Sequence, residues 1–187
     1  MKDKGRVILG IDPGTGRCGF AVVSSSQGSA VSGRRGNSPK LIDCGCIETK
    51  ANTPLDERLE VIFKKITDLI KVYKPEEMAI EELFFVKNIK TGMSVAHARG
   101  VIILAARLAK VPHFEYKPNE VKLAITGYGH ADKNQIRKML TLHLKGCNIK
   151  QDDAADAVAV ALCHLQMARK LSAVRVQESA NNAKKAI

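Results

Sequence analysis

VILGIDPGTGRCGFAVV, residues 7–23, holds two apolar runs separated by a turn. The first, Arg6 to Asp12, reads as a buried strand because it has no polar break before Asp12, and Pro13-Gly14 then forces the chain to turn. The second, Cys18 to Val23, reads as the returning strand of a hairpin. Outward from this pair, Ser24 to Lys40 is rich in Ser, Gly, Arg and Asn and almost without apolar side chains. That composition predicts a long hairpin loop over residues 24–40, followed by a third strand from Leu41 to Ile47 with Cys44 and Cys46 on one face.

Thr53 is placed to cap a helix, with Pro54 at its first position and Asp56 closing a capping box. Leu55, Leu59, Ile62, Phe63, Ile66, Leu69, Ile70 and Tyr73 recur at helical spacing until Lys74-Pro75. MAIEEL reads as a fourth, interior strand. A second long helix is predicted over Thr91 to Lys110, its first half rich in small residues that permit close approach: Gly92, Ser94, Ala96, Ala98 and Gly100. HFEY after Pro112 reads as a fifth strand, and Pro118 opens a helix ending near Gly127. Asp132 and Gln135 form a capping box for another helix to about Leu144. Asp152 or Asp153 caps a last helix to about Lys170. Three strands, helix, strand, helix, strand and then helices imply an α/β fold: one five-stranded mixed sheet flanked by helices.

The chain has 187 residues, 45% hydrophobic and 26% charged. That suits one folded domain and excludes a wholly disordered chain. The reading is a single domain over residues 1–170 and a flexible basic tail over residues 171–187, which lacks a sustained apolar face. Thirty Lys and Arg against nineteen Asp and Glu give a formal charge of +11, the electrostatic footprint of a nucleic-acid binder, although part of it sits in the loop and the tail. The five cysteines have no repeated C-x-x-C pair, so neither a disulfide framework nor a zinc site is indicated. VILGID is too short for a signal-peptide core, and the apolar stretch VIILAARLA is interrupted by Arg107. A soluble, cytoplasmic protein is expected.

Four carboxylates stand out. Asp12 ends a strand before Pro-Gly, where it is either a turn residue or a functional group at the sheet edge. Glu81 lies at the carboxyl end of an interior strand, where ligands gather in α/β sheets, and a carboxylate there needs a cation, a basic partner or a shifted pKa. Its neighbour Glu82 points the other way and reads as solvated or salt-bridged. Asp153 and Asp156, three apart, share one face of the last helix. Capping and the helix dipole account for one of them but not for the small Ala154, Ala155 and Ala157 around them. Four hard oxygen donors without a Cys or His cluster suit Mg²⁺ or Mn²⁺. Two such ions ~3.5–4 Å apart serve phosphodiester hydrolysis. The five histidines share no spacing with these acids, and His164 reads as a packed or exposed helix residue.

GIDPG at Gly10 to Gly14, IEELF at Ile80 to Phe84, ARG at Ala98 to Gly100 and DAADAVAVA from Asp153 to Ala161 resemble, in order and spacing, the RuvC family of Holliday junction resolvases. The resemblance runs from about Val7 to His164. It implies an RNase H-like fold in which the first and fourth strands adjoin and bring Asp12 beside Glu81, with Asp153 and Asp156 supplied by the last helix. The implied activity is metal-dependent nicking of four-way DNA junctions at symmetric positions, by a homodimer, using Asp12, Glu81, Asp153 and Asp156 as catalytic metal ligands and two Mg²⁺ ions, with Mn²⁺ able to substitute. By the same resemblance Phe84 stacks on an unpaired base at the junction centre, Lys122 and Lys133 contact DNA phosphates or stabilise charge near the site, and the RuvA-RuvB branch-migration complex is a partner. Phe85 reads as core, while Lys87, Lys90 and Arg137 are further phosphate contacts. The small-residue helix is the candidate dimer interface. The loop at 24–40 and the tail depart from the family pattern without touching the acids. The alternatives are an RNase H-like RNA-processing nuclease and a non-catalytic junction-binding module. An actin-like ATPase would need two lobes, and the chain is too short for them.

Overall fold

A computed structural model describes residues 5–25, 39–83, 89–145, 147 and 149–185, and the side chains of these except residue 90 and residues 169–185. Five strands, β1 (Arg6–Asp12), β2 (Arg17–Ser25), β3 (Lys40–Glu48), β4 (Glu77–Glu81) and β5 (His113–Tyr116), form one sheet in the order β3-β2-β1-β4-β5. The β1, β2 and β3 strands pair antiparallel, whereas β1, β4 and β5 pair parallel. The helices are α1 (Leu55–Tyr73), α2 (Ile89–Leu108), α3 (Pro118–Thr126), α4 (Lys133–His143) and α5 (Asp152–Lys185).

The central strands read as continuous apolar runs because both of their faces are covered. Leu9, Ile11, Met78 and Ile80 pack with Ile62 and Ile66 of α1 and Ile102 of α2, while Ile8, Ala21 and Ala79 pack with α3, α4 and α5. Side chains alternate faces along a strand. The even positions of β1 and the odd positions of β4 therefore point at α5, and Asp12 and Glu81 are the last of each set.

The α5 helix lies almost on the backbone of β1 and β2. A Cβ added at Gly10 would sit 2.4 Å from the Ala157 carbonyl oxygen and 2.8 Å from the Ala161 Cβ, and one at Gly19 would sit 2.0 Å from the Asp153 carbonyl oxygen. This contact explains the small residues of DAADAVAVA, which are buried as Ala154, Ala155, Ala157, Ala159 and Ala161.

Beyond shifts of one or two residues at several element ends, three boundaries differ from the sequence reading. Pro54, not Thr53, occupies the N-cap of α1, and the Thr53 hydroxyl donates back to the Lys50 carbonyl at 2.6 Å, so no capping box with Asp56 forms. The α5 helix begins at Asp152, with Asp152 and Asp153 both inside its first turn and paired to side chains of other elements instead of capping it. It runs on to Lys185, well past Lys170. Residues 171–185 contain neither Gly nor Pro, so nothing local stops the helix. The α4 capping box is present as read, with Asp132 and Gln135 exchanging backbone-to-side-chain bonds of 2.9 Å. Gly127 closes α3 at φ 76°, a left-handed position that suits glycine.

Cys18, Cys44, Cys46, Cys147 and Cys163 are free thiols. His164 is buried in α5 between Tyr116, whose hydroxyl is 2.7 Å from Nδ1, and Glu77, whose carboxylate is 2.8 Å from Nε2. It ties α5 to β4 and β5. Among the described residues no helix is long and apolar enough to cross a membrane.

Candidate active site

Parallel pairing of β1 with β4 sets Ile11 against Ile80, so the next residues, Asp12 and Glu81, leave the sheet side by side. Their carboxyl groups interact through a side-chain hydrogen bond. Burial pushes the Asp12 pKa from 3.8 up to about 8, and the charges of Glu81 and Asp156, that shared hydrogen bond and the charge of Asp153 add to the effect. Burial also raises Glu81, as does the charge of Asp156, while the bond from Asp12 and the ammonium groups of Lys122 and Lys133 act against it. Asp156, one turn into α5, is raised first by burial and also by Asp153, against Lys133, Arg137 and Lys122. Three carboxylates thus crowd into a partly desolvated space, where Glu81 and Asp156 disfavour ionisation of Asp12 and Asp156 disfavours that of Glu81.

Asp153 belongs to the same helix face but is turned toward β2. Its Oδ2 accepts from Arg17 Nε at 2.7 Å, and the Cys46 thiol lies 3.9 Å away. Arg17 also reaches Glu48 on β3 at 3.1 Å. Among the described residues no three Asp, Glu, His or Cys side chains are gathered into one coordination sphere. The donor set nevertheless fits a hard cation: all are oxygen ligands, and neutralisation by a divalent ion would relieve the crowding that raises Asp12, Glu81 and Asp156.

A basic rim borders the acids. A cleft of about 320 Å³ is lined by Glu81, Asp156, Lys122 and Lys133, over an apolar floor that includes Val121, Ile136 and Ala159. A smaller hollow of about 140 Å³ lies on the α2 side of the pair, lined by Asp12, Glu81, Glu82, Leu83 and Arg99 among others. Arg99 forms an ion pair with Glu115. Glu82 lies just past the end of β4, half-buried, its N–H bonded to the Tyr116 carbonyl at 2.8 Å. Arg137 pairs with Asp152.

The structure therefore brings Asp12, Glu81 and Asp156 together beside Lys122 and Lys133, and sets Asp153 at their edge. Phe84, Phe85 and Lys87 lie outside the described residues, as does the side chain of Lys90. Arg17 was missed in the sequence. Its signal is strand parity: Arg17 shares a β2 face with Gly19 and Ala21, and Ala21 packs in the α5 core.

A five-stranded sheet in this order, with carboxylates at the ends of its adjoining parallel central strands and on the facing helix, is an RNase H-like nuclease architecture. The family model described as crossover junction endodeoxyribonuclease RuvC matches residues 8–164. The chain belongs to the RuvC family. Relatives bearing that name include one from Brachyspira hyodysenteriae, 49% identical over 84% of this chain and 92% of its own length, and one from a Roseiflexus species, 46% identical over 83% and 88%. The structure of Thermus thermophilus RuvC in complex with Holliday junction substrate superposes with a TM-score of 0.79 at 31% identity, covering 88% of this chain and 96% of that one. The yeast mitochondrial Holliday junction resolvase Ydc2 shares the fold, with a TM-score of 0.58 at 11% identity, over 87% and 80% of the two chains.

Proposed function

We propose that this chain resolves four-way DNA junctions by hydrolysing one phosphodiester in each of two opposed strands, leaving 5′-phosphate and 3′-hydroxyl ends. The observation that carries the reading is the carboxyl pair of Asp12 and Glu81, with Asp156 above it and Lys122 and Lys133 on the rim. Asp12, Glu81, Asp153 and Asp156 are the residues that would hold two Mg²⁺ ions, with Mn²⁺ as a substitute. When bound, the ions supply charge neutralisation at the attacking and leaving oxygens of an in-line displacement. Lys122 and Lys133 hold the phosphate over the acids through charge-assisted hydrogen bonds, above the apolar floor of the 320 Å³ cleft. Phe84 is assigned to stacking on an unpaired base at the crossover.

Two opposed cuts in a substrate with approximate two-fold symmetry require two sites, which a symmetric homodimer provides. In support, α2 carries an exposed stripe of Ile89, Met93, Leu104 and Leu108, with Gly100 open between them, at helical spacing. Of the small residues singled out earlier, Gly92 and Ala98 face inward, whereas Ala96 and Gly100 face out with this stripe. The RuvA-RuvB branch-migration complex is the proposed partner on the junction.

The test is nicking of a fixed four-way junction, a mobile-core junction and plain duplex by the wild-type chain and Asp12→Asn, with Mg²⁺ or EDTA. Paired symmetric nicks confined to junctions, dependent on Mg²⁺ and lost in the variant, are expected. Junction binding without nicks under any metal would mean a binding module, and preferential cleavage of structured RNA would mean an RNA-processing nuclease.

A further inference from the structure

Arg17 stands at the start of β2, opposite Glu48 in the β2–β3 register, and spans two carboxylates: Nε to Asp153 at 2.7 Å and one terminal nitrogen to Glu48 at 3.1 Å. The placement is built in. Gly19, two residues along the same strand face, lets the Asp153 backbone come into contact with the sheet, and this lays the Asp153 side chain beside Arg17. The bond is charge-assisted and its partner is one of the four acids of the site, so Arg17 occupies an oxygen that a divalent cation would use.

We infer that Arg17 is an internal competitor for Asp153, which lowers the affinity of the site for its divalent cation, and that Glu48 tempers the competition by sharing the guanidinium. The inference rests on the four carboxylates being a metal site. Arg17 is half-exposed, with 51% of its side chain accessible. The pair is therefore screened, and the competition lowers affinity without abolishing it. Because Arg17 and Glu48 act in opposite senses on the same carboxylate, their substitutions shift metal affinity in opposite directions.

The experiment is titration of the full chain, without DNA, with Mn²⁺, following free ion by electron paramagnetic resonance. Arg17→Gln is expected to bind Mn²⁺ roughly 2–5-fold more tightly than wild type, and Glu48→Gln more weakly. Arg17→Lys keeps the charge but cannot span both carboxylates, and is expected to fall between wild type and Arg17→Gln. Equal or weaker binding by Arg17→Gln, with Asp12→Asn still losing Mn²⁺, overturns the competition. Arg17→Lys indistinguishable from wild type overturns the contact in favour of a diffuse field effect. If wild type and Asp12→Asn take up Mn²⁺ alike, the metal-site reading itself fails.

Discussion

Asp12 and Glu81 continue the parallel register of Ile11 and Ile80, and their carboxyl groups interact across the gap between two strands 69 positions apart in sequence. Such a pair is held together by the sheet against its own repulsion. Its ionisation carries the first consequence.

The Asp12 pKa moves from 3.8 to about 8 on folding, so between those values the folded chain binds more protons than the unfolded one. Stability therefore falls as pH rises through that window, and the contribution of protonated Asp12 is lost above about 8. Asp12→Asn keeps the hydrogen bond donor and removes the charge. At pH 8 it is expected to be the more stable by ~1–2 kcal/mol, or roughly 3–6 °C in Tm. The advantage should shrink toward pH 5. Thermal melts in EDTA across this range check it, and a variant no more stable than wild type at pH 8 would contradict the crowding.

Lys122 lowers the pKa of both Glu81 and Asp156. Lys122→Ala is expected to slow junction nicking by about 10–100-fold. It should also shift the rising limb of the pH–rate profile to higher pH, since both carboxyls then ionise later. A uniform loss with an unmoved profile would restrict Lys122 to holding phosphate.

Gly19→Ala tests the seat of α5. The added Cβ would stand 2.0 Å from the Asp153 carbonyl, so backbone must move. A loss of ~2–4 kcal/mol in unfolding free energy is expected, as for overpacking against a rigid partner. Nicking should fall much further than the folded fraction, because the displaced turn carries Asp153 and Asp156. Denaturant melts alongside single-turnover nicking separate the two effects.

The order and type of the five strands and the mixed sheet were legible in the succession of apolar segments and turns, and Asp12 and Glu81 were legible because two central strands buried on both faces leave unbroken apolar runs that end on them. The close seat of α5 was half legible: the alanines were visible, but their partners Gly10 and Gly19 acquire meaning only once the sheet is assembled. Arg17 was not legible as a partner of Asp153, since the contact joins residues 136 positions apart and depends on which face of β2 turns toward α5. The buried links of His164 to Tyr116 and Glu77 are likewise long-range, at 48 and 87 positions, and a histidine in an apolar helix gives no sign of them. The start of α1 was misread because Thr53 satisfies its hydroxyl locally, on Lys50, leaving Pro54 at the cap.

Under the proposed homodimer, the α2 stripe is the contact that would pair the two cuts. Leu104 and Leu108 are 50% and 65% exposed, one helical turn apart, on the face that also carries Met93 and Ile89. Four large apolar side chains in line on one helix favour a self-complementary contact, because a two-fold interface presents the same stripe to itself. Leu104→Lys with Leu108→Lys places like charges against each other across such an axis and is expected to yield monomers by sedimentation velocity. The acidic quartet of each chain stays intact, so Mn²⁺ binding should be unchanged while coordinated nicking of opposed strands is lost. A double variant that remains dimeric and still cuts in pairs would move the interface to another face.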